Sequence, residues 1–143
     1  MHDKTGIDIF NLSKLDPGGA IHSVGNTKAG SDGETFEPVS SQSVLVMRLD
    51  DFISTFNMQV PTHLKIDVDG NDRLVLDGLG AILKNPTLRY IAIEVNEGIR
   101  EGDNDVNAFL NTFGFDRLTD TNLQNPNNLK RGKSYNAYFA RRM

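Results

Sequence analysis

At 143 residues, 38% hydrophobic and 24% charged, the chain has the length and composition of one globular domain with one core. A net charge of −4 and a pI near 5.3 argue against a nucleic-acid or anionic-membrane surface. The lack of cysteine removes disulfides, zinc-thiolate sites and thiol nucleophiles and fits a cytoplasmic setting, and no apolar run approaches the roughly 20 residues of a membrane span.

Ile7 to Phe10 is a short strand candidate. Asp16 to Ser43 is rich in Gly, Ser, Thr and Asp and is expected to be a long loop, so residues 1–43 read as a variable, loop-rich segment of a single 1–143 domain. Ser43 to Arg48 is a strand candidate. Leu49, Phe52, Ile53 and Phe56 then follow at the spacing of one helical face, with Asp50 and Asp51 in the first turn, where the helix dipole favours them. From Val60 the pattern becomes an α/β unit: strand 63–68, helix 72–84 with Val75, Leu79, Ile82 and Leu83 as its buried stripe, and strand 90–95. Asn71 is placed to cap that helix and Asn85-Pro86 to stop it. Both strands are nearly continuous apolar runs, the pattern of a parallel sheet covered on both faces. Val106, Phe109, Leu110 and Phe113 define a further helix ending at Gly114, and 115–118 and 135–141 read as an antiparallel pair around the polar loop 119–134. Lys130, Arg131, Lys133, Arg141 and Arg142 form a basic cluster that reads as a solvated tail.

Chemistry concentrates in His63-Leu-Lys-Ile-Asp-Val-Asp-Gly-Asn-Asp72. An apolar strand there delivers Asp67 and Asp69 onto a glycine turn that opens a helix, and in open α/β sheets ligands collect beyond the carboxyl ends of the strands. An ionised carboxylate closing an apolar run is costly unless it is paired, metal-bound or facing a wet cleft, which makes Asp67 the first candidate. Asp69 is as well placed to cap the following helix as to act. Glu94, between Ile93 and Val95, raises the same question on the next strand, with an ion pair to Lys65 or Arg89 as the structural alternative, and Asn96 follows it. If the two strands are neighbours, their polar ends meet. Gly18-Gly19 with His22 and Ser23 is either a substrate-facing loop or a plain flexible turn. The acidic run fails as a calcium loop, with Asp72 where position 6 needs Gly and Gly78 where position 12 needs Glu. His2 and His63 have no partner visible in the sequence, and the histidines show no metal spacing. No Gly-x-Gly-x-x-Gly follows an apolar strand, so these residues hold half a nucleotide site at most.

Met47-Arg-Leu-Asp-Asp-Phe-Ile53, the 63–72 run, Leu76-Asp-Gly78 and Arg89-Tyr-Ile-Ala-Ile-Glu-Val95 resemble, in order and spacing, the C-terminal half of FkbM-type methyltransferases. The likeness is strongest over 44–98, and Asp69 and Asp72 stand where the family usually has Glu. The resemblance implies an α/β fold that is the C-terminal half of a Rossmann-like methyltransferase sheet, a parallel βαβ unit followed by an antiparallel hairpin. The strands read here would be the 4-5-7-6 part of a 3-2-1-4-5-7-6 order. It also implies S-adenosylmethionine-dependent methylation of a hydroxyl oxygen on a small molecule or sugar, with Asp67, Glu94 and Asp69 as the catalytic acids. His22, Ser23 and Asn96 are the candidates for binding the acceptor. The residues that grip the cofactor belong to the missing half and are unassigned, so the chain by itself is expected to be inactive, either as a fragment or as one half completed by another polypeptide. A divalent ion held by Asp67, Asp69, Glu94 and Asn96 is an alternative within the same class, and no metal is assigned. The competing functional class is a non-catalytic half-domain that pairs with a partner chain, or with a second copy, through an exposed sheet edge. No nucleic-acid or membrane partner is expected.

Overall fold

Two separate sheets form, one antiparallel and one mixed. The computed structural model describes residues 1–17, 22–26, 28, 35–68, 71–96, 102–119 and 134–143, without the side chains of residues 96, 102–105 and 134. The chain divides into two compact units, one made of Met1–Asn57 with Val68–Gly80 and the other of Met58–Asp67 with Ala81–Met143.

The first unit carries the antiparallel sheet. Strand β1 (Gly6–Leu12) lies between β2 (Ser23–Val24) and β3 (Ser40–Val46). Its ladder with β3 runs from the pair Gly6 and Val46 to the pair Leu12 and Ser40. Two expectations change here: the strand predicted from Ser43 starts at Ser40, and β2 lies inside the segment predicted to be loop. Ser40 to Ser43 have little intrinsic preference for strand, and pairing with a segment some thirty positions away supplies it. Helix α1 (Leu49–Thr55) follows, with Asp50 and Asp51 in its first turn as expected. The Arg48 guanidinium grips Asp50 through Nε and Nη2, both at 3.0 Å, and donates through Nη1 to the Asp3 carbonyl.

Helix α2 (Asp72–Asp77) is shorter than the predicted 72–84 helix. Asn71 does occupy the N-cap position but makes no side-chain capping bond; instead the Asp72 carboxylate accepts the Val68 N–H at 3.2 Å. The helix stops at Gly78, and the 3-10 turn Gly80–Lys84 follows. Gly80 has φ +52, a left-handed conformation that ends a helix at little cost only for glycine. Val75, Leu79, Ile82 and Leu83 are all buried as predicted, yet two successive elements carry them rather than one.

In the second unit, β4 (His63–Ile66) pairs in parallel with β5 (Tyr90–Asn96), and β7 (Ser134–Arg141) runs antiparallel between β5 and β6 (Phe115–Arg117), giving the order β4-β5-β7-β6. Helix α3 (Gly102–Thr112) lies against β5 and β6 and ends before Gly114, whose φ is +80. Ile66, Ile91, Ile93, Val95, Phe115, Ala137 and Phe139 are buried on one face of this sheet together with Val106 and Leu110 of α3. The predicted cover of both faces is only partial among the described residues: on the other face His63, Lys65 and Tyr90 are exposed, whereas Ala92, Glu94, Asn136 and Tyr138 are half-buried. Alternation, rather than a continuous apolar run, is the pattern of these strands once Lys65 and Glu94 are counted as outward positions.

Arg141 closes the second unit. Its guanidinium donates to the carbonyls of Leu83, Asn85 and Leu88 at 2.8 to 3.0 Å and to that of Phe113 at 3.3 Å, and it lies over the Phe115 ring at 4.3 Å. Burial, with the neighbouring Arg89 charge, holds its pKa below the usual arginine value. This residue is therefore part of the fold and not of a solvated basic tail. Arg142 pairs with Asp116 at 2.8 Å, while Lys130, Arg131 and Lys133 lie outside the described residues. No helix among the described residues is long and apolar enough to cross a membrane.

Candidate functional site

Parallel pairing sets the geometry of the candidate acids. Ile66 of β4 stands opposite Ile93 of β5 as the last pair of the ladder; the strand predicted over 63–68 ends there, so Asp67 follows directly after β4 while Glu94 continues β5. Lys65 pairs with Ala92, so Glu94, two residues further along β5, shares their face, and a contact with Lys65 ties Asp67 to it. The Lys65 ammonium lies 2.7 Å from the Asp67 carboxylate, and both side chains are about half exposed (61% and 46%). An exposed pair of this kind adds little stability, but it orients both groups. That contact, reinforced by the Asp67 charge and by Tyr138 and Glu94 nearby, raises the Lys65 pKa above its ordinary value and keeps the ammonium charged. Lys65 pairs with Ala92 and Ala92 with Tyr138, so β4, β5 and β7 present Lys65, Glu94 and Tyr138 on one side of the sheet. Glu94 itself is half-buried.

The face extends away from the acids. His63 stacks on Tyr90 with ring centroids 4.7 Å apart and planes 20° from parallel, and its Nδ1 lies 2.9 Å from the Thr62 hydroxyl. His63 therefore has a ring partner that the sequence did not reveal, because the pairing depends on the β4–β5 register. Asn136 and Tyr138 of β7 stand opposite Glu94 and Ala92; neither was selected from the sequence, where nothing fixes an antiparallel register across a polar loop.

Asp69 lies outside the described residues. Asn96 ends β5 opposite Ser134, and its side chain is outside the description. His22 and Ser23 belong to the other unit. There the His22 Nδ1 accepts the Ser13 N–H at 3.2 Å and its ring meets Phe10 edge-on, while Ser23 is 2% exposed with its hydroxyl unpartnered among the described residues. His2, which had no partner in the sequence, is buried beside Asp3 at 2.5 Å, with Asp8 at 3.9 Å. Among the described residues no group of three or more His, Asp and Glu side chains is arranged to hold a metal ion.

A nucleotide cofactor needs a glycine turn whose backbone a phosphate or ribose can approach. Gly78 and Gly80, at the end of α2, do not supply one. A Cβ on Gly78 would fall 1.8 Å from the His2 carbonyl oxygen, and one on Gly80 would fall 1.9 Å from an Asp50 carboxylate oxygen, so the space above both is taken by the chain's own atoms. Neither glycine offers its backbone to a nucleotide, and the chemistry of the strand ends is that of carboxylates: accepting hydrogen bonds from hydroxyl groups and taking a proton.

The sequence profile described as Methyltransferase FkbM domain matches residues 2–117 of the chain. Comparisons with curated proteins and with solved structures gave no match.

Proposed function

The chain belongs to the FkbM family of methyltransferase domains, and from that membership we propose that it serves S-adenosylmethionine-dependent methylation of a hydroxyl oxygen on a small molecule or sugar, with Asp67 and Glu94 at the acceptor. The observation that carries this reading is the parallel β4–β5 pairing, which ends at Ile66 and Ile93 directly before the two acids, at the strand ends where α/β folds gather ligands. The order β4-β5-β7-β6 supports it as well, since a Rossmann-like methyltransferase has that order in its C-terminal half. The nucleotide cradle then comes from chain outside the described residues or from a partner across β4, which among the described strands pairs with β5 alone.

Methylation of a hydroxyl forms an O–C bond at the expense of the donor's S–C bond and releases the hydroxyl proton. Asp67 accepts the hydrogen bond of the acceptor hydroxyl, fixes the direction of its lone pairs and takes the proton as the new bond forms. Lys65 holds the Asp67 carboxylate in place from two residues back on the same strand face. Glu94, on the adjacent strand β5, receives the same hydroxyl or its neighbour. Positioned acid–base groups of this kind contribute roughly 100- to 10,000-fold.

The test is transfer of a labelled methyl group from S-adenosylmethionine to a set of sugars and small alcohols by the natural polypeptide that carries these residues. Transfer by the wild type, reduced about 100-fold or more by Asp67→Asn, is the expected outcome. No transfer to any hydroxyl compound contradicts the reading.

A further inference from the structure

Register arranges the open face of the mixed sheet in rows. His63, Tyr90 and Ala140 form the first, Lys65, Ala92 and Tyr138 the second, and Glu94 and Asn136 the third, with Asp67 held to Lys65 just past the end of β4. Opposed residues of an antiparallel pair hold their Cβ atoms about 5 Å apart on one face, which sets the Asn136 amide beside the Glu94 carboxylate. The Asn136 Oδ1 is buried and has no hydrogen-bond partner among the described residues. Buried acceptors are nearly always satisfied, and an exception inside a regular strand needs an explanation. Ionised Asp67 and Glu94 cannot provide the missing donor, because a carboxylate only accepts. Asn136 as a whole is half-buried, and the terminal torsion of Asn is broad, so its amide can turn toward the open face.

We infer that Asn136 is a positioning residue whose Oδ1 accepts a hydrogen bond from a second hydroxyl of the acceptor, next to the one held by Asp67 and Glu94. The row then takes a compound with neighbouring hydroxyl groups, as on a sugar ring, in preference to an isolated alcohol. This inference rests on the acceptor site proposed above. Three accepting groups at these strand ends suit a ligand that brings several O–H donors, and an isolated hydroxyl would leave Asn136 as unsatisfied as it is without ligand.

The experiment titrates the natural polypeptide that carries these residues with methyl α-glucopyranoside and its monodeoxy analogues, following the side-chain amide signals of Asn136 in heteronuclear spectra, and measures methyl transfer by that polypeptide as wild type and as Asn136→Ala. The Asn136 signals are expected to move with the glucoside. Asn136→Ala should bind it about tenfold more weakly. The analogue lacking the second hydroxyl should lose the same factor in wild type and nothing more in the variant. Because the substitution removes an unsatisfied atom, the unfolding midpoint should stay at or above that of wild type, whereas a merely structural residue would lower it. Immobile Asn136 signals, equal binding by the variant or a lowered midpoint each overturn the inference. Binding through Asn136 without methyl transfer to any compound would instead sink the methylation reading alone, and undiminished transfer by Asn136→Ala would sink only the role given to this residue.

Discussion

The two units solve the same problem, fixing the register of a sheet, by different means. In the second, apolar residues carry the register: Ile66, Ile91, Ile93, Phe115 and Phe139 are no more than 2% exposed, and a one-residue slip of any strand would turn them to solvent. In the first, the interior holds His2, Asn11, Ser23 and Asp72, the buried polar and charged residues of the described chain, while Ile7 and its cross-strand partner Leu45 are 68% and 67% exposed. Specific polar bonds do the alignment there. Asn11 donates to the Gly25 carbonyl and accepts from the Ser41 hydroxyl, both at 2.9 Å, tying β1 to its two neighbours. A sheet whose apolar face alone fixes its register can leave its other face to polar groups, which is why the candidate chemistry stands on the mixed sheet.

Substitutions in each unit probe that difference, with amide exchange in β5 and β1 as the separate readouts. Phe139→Ala should cost about 3–5 kcal/mol, because it leaves a cavity in a fully packed core; a loss below about 1 kcal/mol would mean the apolar face is not what holds the mixed sheet. Gly78→Ala should cost roughly 3 kcal/mol in the first unit, as its Cβ would collide with the His2 backbone carbonyl although φ is an ordinary −75. Unchanged protection of β1 in that variant would show that the approach is loose. Arg141→Met should cost about 2 kcal/mol in the second unit, since it strips donors from the Leu83, Asn85, Leu88 and Phe113 carbonyls. The smallest effect is one of pH. Lys4, 2.9 Å from Asp8, and the Ile9 N–H hold the Asp8 pKa below its ordinary 3.8. A depressed carboxylate contributes stability that is present above the unfolded pKa and is lost as pH falls through the folded one. Lys4→Met should therefore be less stable than wild type near neutral pH and equal to it once Asp8 is protonated in both, and a gap that widens in acid would contradict the pairing.

Local pattern made some of this legible and long-range pairing hid the rest. The stripe Leu49, Phe52, Ile53 and Phe56 marked α1, and Gly114 marked the end of α3, because both signals lie within a few residues of what they specify. The run from His63 and the run from Arg89 announced two strands with acids at their ends. What failed depended on partners far along the chain. Serines at 40–43 become strand only through β1, and α2 stops at Gly78 and Gly80 because His2, Arg48 and Asp50 occupy the space beside them. The polar face was missed for a related reason: the two strands read as nearly continuous apolar runs, and only the register shows Lys65 and Glu94 facing the same way. Asn136 was invisible, since its neighbour Glu94 lies across a loop that sets no register by itself.

The most direct measurement compares the methyl-transfer rates of Asp67→Asn and Ser23→Ala in the natural polypeptide, each checked for an unchanged unfolding midpoint. A fall of about 100-fold or more for Asp67→Asn, with Ser23→Ala close to wild type, is the outcome expected if the β4–β5 strand ends hold the acceptor. Full activity in Asp67→Asn would contradict it.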